Sequence, residues 1–409
     1  MKSNKKNYVK IYLGITLSAF IIFIFLSLIT KGDCFLWLVM EENYNWQFSD
    51  YFRQIIYASD IKHIYLNTGD APFPPFTYCF FNLLYRINPI DFDEISLDCW
   101  RQAQGNNNLL IFFLLFMLVG ISLYWIIDYC LEGKCSNIFK GLLYLSVIAA
   151  PFMWDGAFER GNMVIVAMVC ILLAIVWRDS DNKVKKELAM ILIAIASGLK
   201  IYPAIFGLMY IKEKRWKESI RLIIYGLIIF FVPFTLSGGM SGFKAYLNIL
   251  LTFGKMRSIR WTNVKNYLFA LLYTFGINIE VISSAGLQFV EIVYLFLMLA
   301  SFMATKDKWK NIFYLTVIPA TFVPNSHRYV AVYMVIPLIM YFVYDEQNSE
   351  KNAKYLMVFS IIFSTPWLGY LLGLNADFCI FTPIYICIIM SLAEDFVLCI
   401  IGSLAARKK

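Results

Sequence analysis

Long apolar runs constrain this chain more than any other feature of its sequence. Residues 11–30 contain no charged side chain, and residues 284–304 contain only Glu291. A run of about 20 apolar residues is long enough to cross the hydrocarbon core of a bilayer as a helix. The bilayer offers no water to backbone polar groups, so such segments must be helical. Only 16% of the residues are charged, against about a quarter in soluble proteins, which argues against a soluble fold.

The pattern of basic loops predicts how the helices cross the membrane. Lysines at the N-terminus and basic stretches at 178–187, 212–217, 306–310 and 406–409 are typical of the cytoplasmic side, so both termini are predicted to be cytoplasmic. Alternation of the apolar segments predicts an all-α polytopic membrane protein with about ten spanning helices plus short re-entrant or interfacial helices. We expect a single membrane domain over residues 1–409. Its acidic region at about 32–108 is predicted to be the first extracytoplasmic loop region.

One apolar segment, residues 188–211, lies between two basic loops, so both of its ends are predicted to be cytoplasmic. A single crossing cannot begin and end on the same side. Gly198 and Pro203 interrupt the helical pattern near its middle. We therefore predict a hairpin whose tip carries Lys200 and Tyr202 into the interior of the membrane protein.

Ionisable residues in or beside membrane helices are costly and are commonly functional. The predicted topology brings several of them to the extracytoplasmic level from distant parts of the chain, and Lys200 approaches that level at the hairpin tip. The others are Asp50, Asp60, Glu159, Arg160, His327 and Arg328. Their convergence predicts a site near the outer leaflet.

Four parts of the chain resemble glycosyltransferase family 87, the polyprenol-phosphate-mannose-dependent mannosyltransferase type with the GT-C membrane fold. They are FSDYF at 48–52 followed by IYLNTGDAPFPPF at 64–76, ERGN at 159–162, GLKIYPAIF at 198–206 and NSHRYVAVYMVIP at 325–337. LKIYP is the most specific of these elements. The chain departs from the family pattern at Phe73, where a Tyr is usual before the two prolines, and in a longer acidic insertion at 88–108.

The resemblance implies an inverting, metal-independent membrane glycosyltransferase that needs no cofactor. It would move a hexose from a polyprenyl-phosphate sugar donor to a glycolipid or cell-envelope glycan. The resemblance implies that this hexose is mannose. We expect it among the lipids of a membrane, a bacterial plasma membrane first, with its site on the extracytoplasmic side that the predicted topology indicates. That side would be a periplasm, a cell surface or an organelle lumen. The sequence has no nucleotide-binding signature, and no nucleic acid is expected as a partner. A transporter or flippase for lipid-linked sugars, and a glycan polymerase or ligase, are the alternatives.

An acceptor hydroxyl must lose a proton during transfer, and a carboxylate or imidazole within reach can accept it. Asp50 is the first choice for this base, and Asp60 is the second. His327, which precedes a membrane helix, is predicted to assist. Asp50 has an alternative role as a solvated loop residue or helix cap, and His327 has one as a capping residue.

The departing phosphate gains negative charge, which cations stabilise. Lys200 is the first choice for this role because a compact ammonium on a flexible stem suits phosphate. Arg160 and Arg328 are the second choices. The alternatives are a lysine that extends to the membrane surface and arginines that contact lipid headgroups.

Three further residues complete the predicted substrate site. Glu159 holds a sugar hydroxyl or pairs with Arg160, and Asn162 binds sugar hydroxyls or caps the following helix. Tyr202 lines the lipid path or packs in the core. The sequence leaves open whether a disulfide joins any two of Cys34, Cys79 and Cys99.

Overall fold

A computed structural model of the chain describes residues 2–39, 48–67, 69, 71–90, 108–255, 262–277, 284–323, 327–344 and 349–406. Regular structure in these ranges is helical, without strands. The α-helices are α1 (Lys2–Ile29), α2 (Asp33–Leu38), α3 (Ser49–Tyr57), α4 (Ile64–Asn67), α5 (Pro75–Ile87), α6 (Asn108–Cys130), α7 (Asn137–Ile148), α8 (Val164–Trp177), α9 (Lys183–Leu199), α10 (Leu208–Lys212), α11 (Trp216–Phe231), α12 (Gly239–Lys255), α13 (Val264–Thr274), α14 (Ser284–Ala304), α15 (Lys308–Thr321), α16 (Val335–Tyr344), α17 (Ser349–Ile362), α18 (Trp367–Leu371) and α19 (Ala376–Ala406).

Four helices in the described part of the chain are long and apolar enough to cross a membrane. They are Asn7–Ile29, Asn108–Cys130, Trp216–Thr235 and Ala376–Phe396. The prediction of an all-helical membrane protein is confirmed, whereas the count of about ten spanning helices is not. Several predicted crossings are divided into shorter helices. The apolar stretch 353–372, for example, is divided between α17 and α18, and the break lies just before Pro366, whose ring and missing N–H disfavour a helix interior.

The chain forms two compact units. The terminal unit comprises Met1–Leu38, Leu131–Met153 and Ser258–Lys409, and the inner unit comprises Val39–Cys130 and Trp154–Arg257. The acidic insertion predicted at 88–108 falls in the inner unit, and most of it lies outside the described residues.

A buried lysine holds three helices of the terminal unit together. The Nζ of Lys310 on α15 lies 2.9 Å from a Glu394 carboxylate oxygen and 3.2 Å from one of Asp395, both on α19. Lys354 on α17 reaches the same Glu394 at 3.2 Å. A buried charge is tolerated only when it is paired, and these pairs meet that requirement.

In the inner unit, the chain reverses direction at Lys200. Helix α9 ends at Leu199, and a 3₁₀ helix over Tyr202–Gly207 followed by α10 returns. We call these two returning helices the return arm. Pro203 fits the first turn of the 3₁₀ helix, where its missing N–H is not needed. The structure thus contains the hairpin that the basic loops predicted.

The return arm ends where α9 begins. Arg178, in the turn between α8 and α9, donates to Glu213, just after α10, at 2.5 Å. Arg215 donates to Asp179 at 2.8 Å. We call this set the ion-pair cluster. The 17 residues of α9 extend about 25 Å, which separates Lys200 from the ion-pair cluster by nearly the length of the helix.

Helix α11 runs beside α9 in the same direction. Arg221 pairs with Glu187 at 2.6 Å near the start of both helices. Near their other end, Ile229 packs so closely on Gly198 that a Cβ there would overlap it. The inner unit therefore has one end with the ion-pair cluster and an opposite end with Lys200.

Candidate active site

Helix α3 and residues 159–162 are joined through their backbones. The Phe48 N–H donates to the Glu159 carbonyl at 2.6 Å, and the Asp50 N–H donates to the Arg160 carbonyl at 2.9 Å. Gly161 makes this approach possible. Its φ is +67°, and a Cβ would lie 2.7 Å from the Cβ of Tyr51, so only glycine fits here without strain. The side chains on either side of Gly161 are thereby directed at Asp50.

The carboxylate of Asp50 is held on both oxygens. Arg160 Nη2 donates to Oδ1 at 2.9 Å, and Asn162 Nδ2 donates to Oδ2 at 2.7 Å. Arg53 Nη2 lies 3.7 Å from Oδ1, and the Asp50 side chain is only 8% exposed. Burial raises the pKa of Asp50, but the charges of Arg160, Arg53 and Lys200 and the Asn162 hydrogen bond outweigh it. The pKa is held well below its usual range, so Asp50 is ionised at neutral pH.

Lys200 follows the last residue of α9 with extended backbone and is buried. Its Nζ lies 3.6 Å from the centroid of the Phe73 ring. The residue is outside the four candidate spans. Burial lowers the pKa of Lys200 to about 7, while the negative charge of Asp50 acts in the opposite direction. The charge of Lys200 therefore changes in the physiological pH range.

The inner unit contains an apolar cavity of about 380 Å³. Helix α9, the return arm and α11 form its walls. Its lining includes Ile193, Gly198, Ile201, Leu222, Gly226 and Phe230. Gly198 and Ile201 flank Lys200 in the sequence, so the cavity reaches the site end of the inner unit. We call this cavity the inner groove.

The structure brings four of the predicted residues together: Asp50, Arg160, Asn162 and Lys200. Of the two roles considered for Asn162, the structure shows the cap, because its Oδ1 accepts the Val164 N–H at the start of α8. Its Nδ2 donates to Asp50. Glu159 is half-buried and joins α3 through its carbonyl. Tyr202, also half-buried, begins the return arm.

The two arginines that are second choices for the phosphate each have a carboxylate partner in the structure. Arg160 pairs with Asp50, as described above. Arg328 belongs to the terminal unit, where its Nε lies 2.5 Å from Asp377 and its Nη1 donates to the Leu38 carbonyl. His327 belongs to the same unit, precedes the 3₁₀ helix Arg328–Met334 and has its ring 5.9 Å from that of Tyr329.

Asp60, the second choice of base, lies on the surface of the inner unit. Its side chain is 46% exposed and lies 3.0 Å from His63 Nδ1. Asn67 also donates to it at 3.4 Å. Cys34 and Cys79 carry free thiols, and Cys99 lies outside the described residues.

Sequence reasoning missed Arg53 and Phe73 as parts of the site. The spacing of three residues between Asp50 and Arg53 places both on one face of a helix, and this signal was available. The contact of Phe73 with Lys200 had no local signal. Among the described residues, no group of three or more His, Cys, Asp or Glu side chains is placed to hold a metal ion.

The fold and the site together define a class: a helical membrane protein with a buried cluster of ionised side chains at one end of its inner unit. The sequence pattern of Glycosyltransferase family 87 matches residues 105–324, a little over half of the chain, and the chain belongs to this family. It is therefore a membrane glycosyltransferase. The matched range contains Arg160, Asn162 and Lys200 but neither Asp50 nor His327. Comparison with curated proteins and with solved structures found no match.

Proposed function

We propose that the chain transfers a hexose from a polyprenyl-phosphate donor to a glycolipid or cell-envelope glycan, with inversion and without a metal. Mannose is the first candidate for this hexose. The observation that carries this proposal is the buried site of the inner unit, in which Arg160 and Asn162 hold the Asp50 carboxylate and the charge of a buried Lys200 acts on it. Membership of Glycosyltransferase family 87 supports the transfer of a sugar. The donor class, the sugar and the stereochemistry belong to the proposal.

In the proposed step, the acceptor oxygen attacks the anomeric carbon from the face opposite the phosphate. The new C–O bond forms as the bond from that carbon to the phosphate oxygen breaks, and the anomeric carbon becomes oxocarbenium-like. The hydroxyl proton passes to Asp50, and the phosphate leaves with the bonding electrons. One inversion at the anomeric carbon results.

Asp50 suits the role of base despite its low pKa. A carboxylate has about four acceptor positions, and Arg160 and Asn162 occupy one on each oxygen, so each oxygen can accept a further hydrogen bond. An acceptor hydroxyl becomes strongly acidic once its oxygen bonds to a cationic carbon, so a weak base is sufficient late in the step. The two donors fix the orientation of the carboxylate, which keeps the base in position.

Lys200 and the inner groove suit a lipid phosphate. The ammonium stabilises the charge that develops on the leaving phosphate, and it does so in a buried place where electrostatic interactions are strong. The groove wall formed by α11 from Ser219 to Phe230 extends about 16 Å, which accommodates the first few isoprene units of a polyprenyl chain. His327 remains part of the proposal as a helper of the base. The proposed substrate contacts, besides Lys200, are Glu159, Arg160, Asn162, Tyr202 and Arg328.

The orientation in the membrane also belongs to the proposal. Basic residues gather around the ion-pair cluster at 178–187 and 212–217, as is typical of a cytoplasmic face. The opposite end, with Asp50 and Lys200, would then be extracytoplasmic, and both termini would be cytoplasmic. Residues 1–409 would act as a single membrane domain.

The test is incubation of the purified protein in proteoliposomes with radiolabelled polyprenyl-phosphate mannose and a panel of membrane glycolipids. We expect transfer with inverted configuration, and a loss of about 10²–10⁴-fold in Asp50→Asn with the protein still folded. Asp60→Asn is the matched control and should retain full activity. Full activity in Asp50→Asn would refute the role of Asp50. Movement of the intact donor across the bilayer without transfer would identify a flippase instead.

A further inference from the structure

The FPPFT element, residues 73–77, holds the end of α9 immediately before Lys200. The Thr77 hydroxyl lies 3.0 Å from the Gly198 carbonyl oxygen and 2.9 Å from that of Leu199, and it donates to them. The ring of Phe76 packs on Gly198, where an added Cβ would come within 3.0 Å of it. The last carbonyls of a helix have no partner within the helix. These contacts therefore fix the backbone from which the Lys200 side chain extends.

Phe73, the first residue of the element, is itself firmly held. The Tyr65 hydroxyl donates to its carbonyl at 2.8 Å. Its ring is stacked on Tyr78 with centroids 6.1 Å apart and an angle of 26°. Tyr78 in turn donates to Gln54 on α3 at 2.8 Å. The Phe73 ring is thus a buried platform fixed to the same helix that carries Asp50.

We propose that Phe73 is a positioning residue, whose ring holds the Lys200 ammonium beside Asp50 and stabilises its charged form. This inference rests on the proposed function, in which that charge stabilises the leaving phosphate. A cation within about 6 Å of an aromatic centroid is attracted by the ring quadrupole, and Lys200 Nζ lies 3.6 Å away. Phenylalanine has no hydroxyl, so the ring offers the ammonium its face alone.

Two described groups near Lys200 act differently from the ring. Asp50 on α3 is the charge that acts on Lys200, and it is shared with Arg53 on the same helix and with Arg160. Burial raises the pKa of Tyr78 on α5 far above its ordinary value, so this phenol stays neutral. Phe73 is the aromatic ring that contacts the ammonium among the described residues.

The expected pH dependence has a definite sign. Burial lowers the pKa of Lys200 to about 7, so the lysine is charged below that pH and neutral above it. Transfer that needs the ammonium should fall as the pH rises through this value. Removing the ring destabilises the charged form, so the fall should move to lower pH.

The experiment replaces Phe73 with mono-, di- and trifluorophenylalanine, which keep the shape of the ring while weakening its quadrupole. The value of kcat/KM for transfer from radiolabelled polyprenyl-phosphate mannose is measured against pH. We call the fall of kcat/KM at high pH the basic limb. We expect this limb to move to lower pH in steps with each added fluorine. Phe73→Leu should move it by about one pH unit, which lowers kcat/KM roughly tenfold at pH 8.

Two controls separate the possible outcomes. Phe234 is a buried phenylalanine of the same unit that packs on Tyr65 and Phe243, and Phe234→Leu should lower thermal stability without moving the limb. Lys200→Met should abolish the limb. If Lys200→Met leaves the limb in place, the proposed role of Lys200 fails. If Lys200→Met abolishes it and the fluorinated rings do not move it, the role of Phe73 alone is refuted.

Discussion

Arg160→Met removes the guanidinium that lies 2.9 Å from Asp50, while both side chains are buried with 7% and 8% exposure. The carboxylate left behind must stay charged without its main partner or take up a proton. The ordinary pKa of the carboxyl is 3.8, so protonation at pH 7 costs about 4 kcal/mol, and this cost is the upper limit for the isolated carboxylate.

The remaining partners reduce the loss. Asn162 still donates to Oδ2, and Arg53 and Lys200 still act on the carboxylate through their charges. Breaking a buried ion pair by removing one partner costs about 3–5 kcal/mol in general. We therefore expect Arg160→Met to lower the free energy of unfolding by about 2–4 kcal/mol at pH 7.

The pH dependence distinguishes this cause from lost packing. At pH 5 the same proton uptake costs only about 2 kcal/mol, so the difference between wild type and Arg160→Met should narrow. The assay is unfolding by SDS in mixed micelles at both pH values. Adding Asp50→Asn to Arg160→Met should restore part of the loss, because no buried charge is then left behind. A loss below about 1 kcal/mol, or an equal loss at pH 5 and pH 7, would refute this account of the Asp50 pair.

Two further predictions concern glycines. Gly161→Ala combines a left-handed backbone with overlap on Tyr51, so we expect it to lower the free energy of unfolding by about 2–4 kcal/mol in the same assay and to reduce transfer. The control is Gly141→Ala, because Gly141 is helical and an added Cβ there would meet open space. This variant should leave the free energy of unfolding unchanged or raise it by up to about 1 kcal/mol. An equal loss of stability in the two variants would contradict the clash. Gly226→Leu fills the inner groove and should lower kcat/KM for a long-chain polyprenyl donor several-fold more than for a short-chain donor. Gly14→Leu on α1 should affect neither donor, and an unchanged ratio in Gly226→Leu would exclude the groove as the path of the chain.

Local signals in the sequence determined the class of protein and part of the site. The length of the apolar runs indicates membrane helices, because bilayer thickness and backbone hydrogen bonding leave no other choice. Basic loops on both sides of 188–211 indicate a hairpin, which the pair of Arg178 with Glu213 shows to be present. The elements ERGN and LKIYP lie inside the range that matches Glycosyltransferase family 87. These features are short-range, so each can be recognised without knowing what packs against it.

The tertiary structure alone decided which side chains of the site contact each other. Arg160 pairs with Asp50, 110 residues away, because Gly161 lets its segment approach α3 so closely. Hydropathy predicted about ten crossings, but where a helix breaks depends on contacts such as those of Thr77 with the end of α9. Phe73 entered the sequence reasoning only as a departure from a family pattern, and it lies over the Lys200 ammonium. A charged group in a buried place takes whichever partner the packing brings within hydrogen-bond distance, and that distance is a property of the fold.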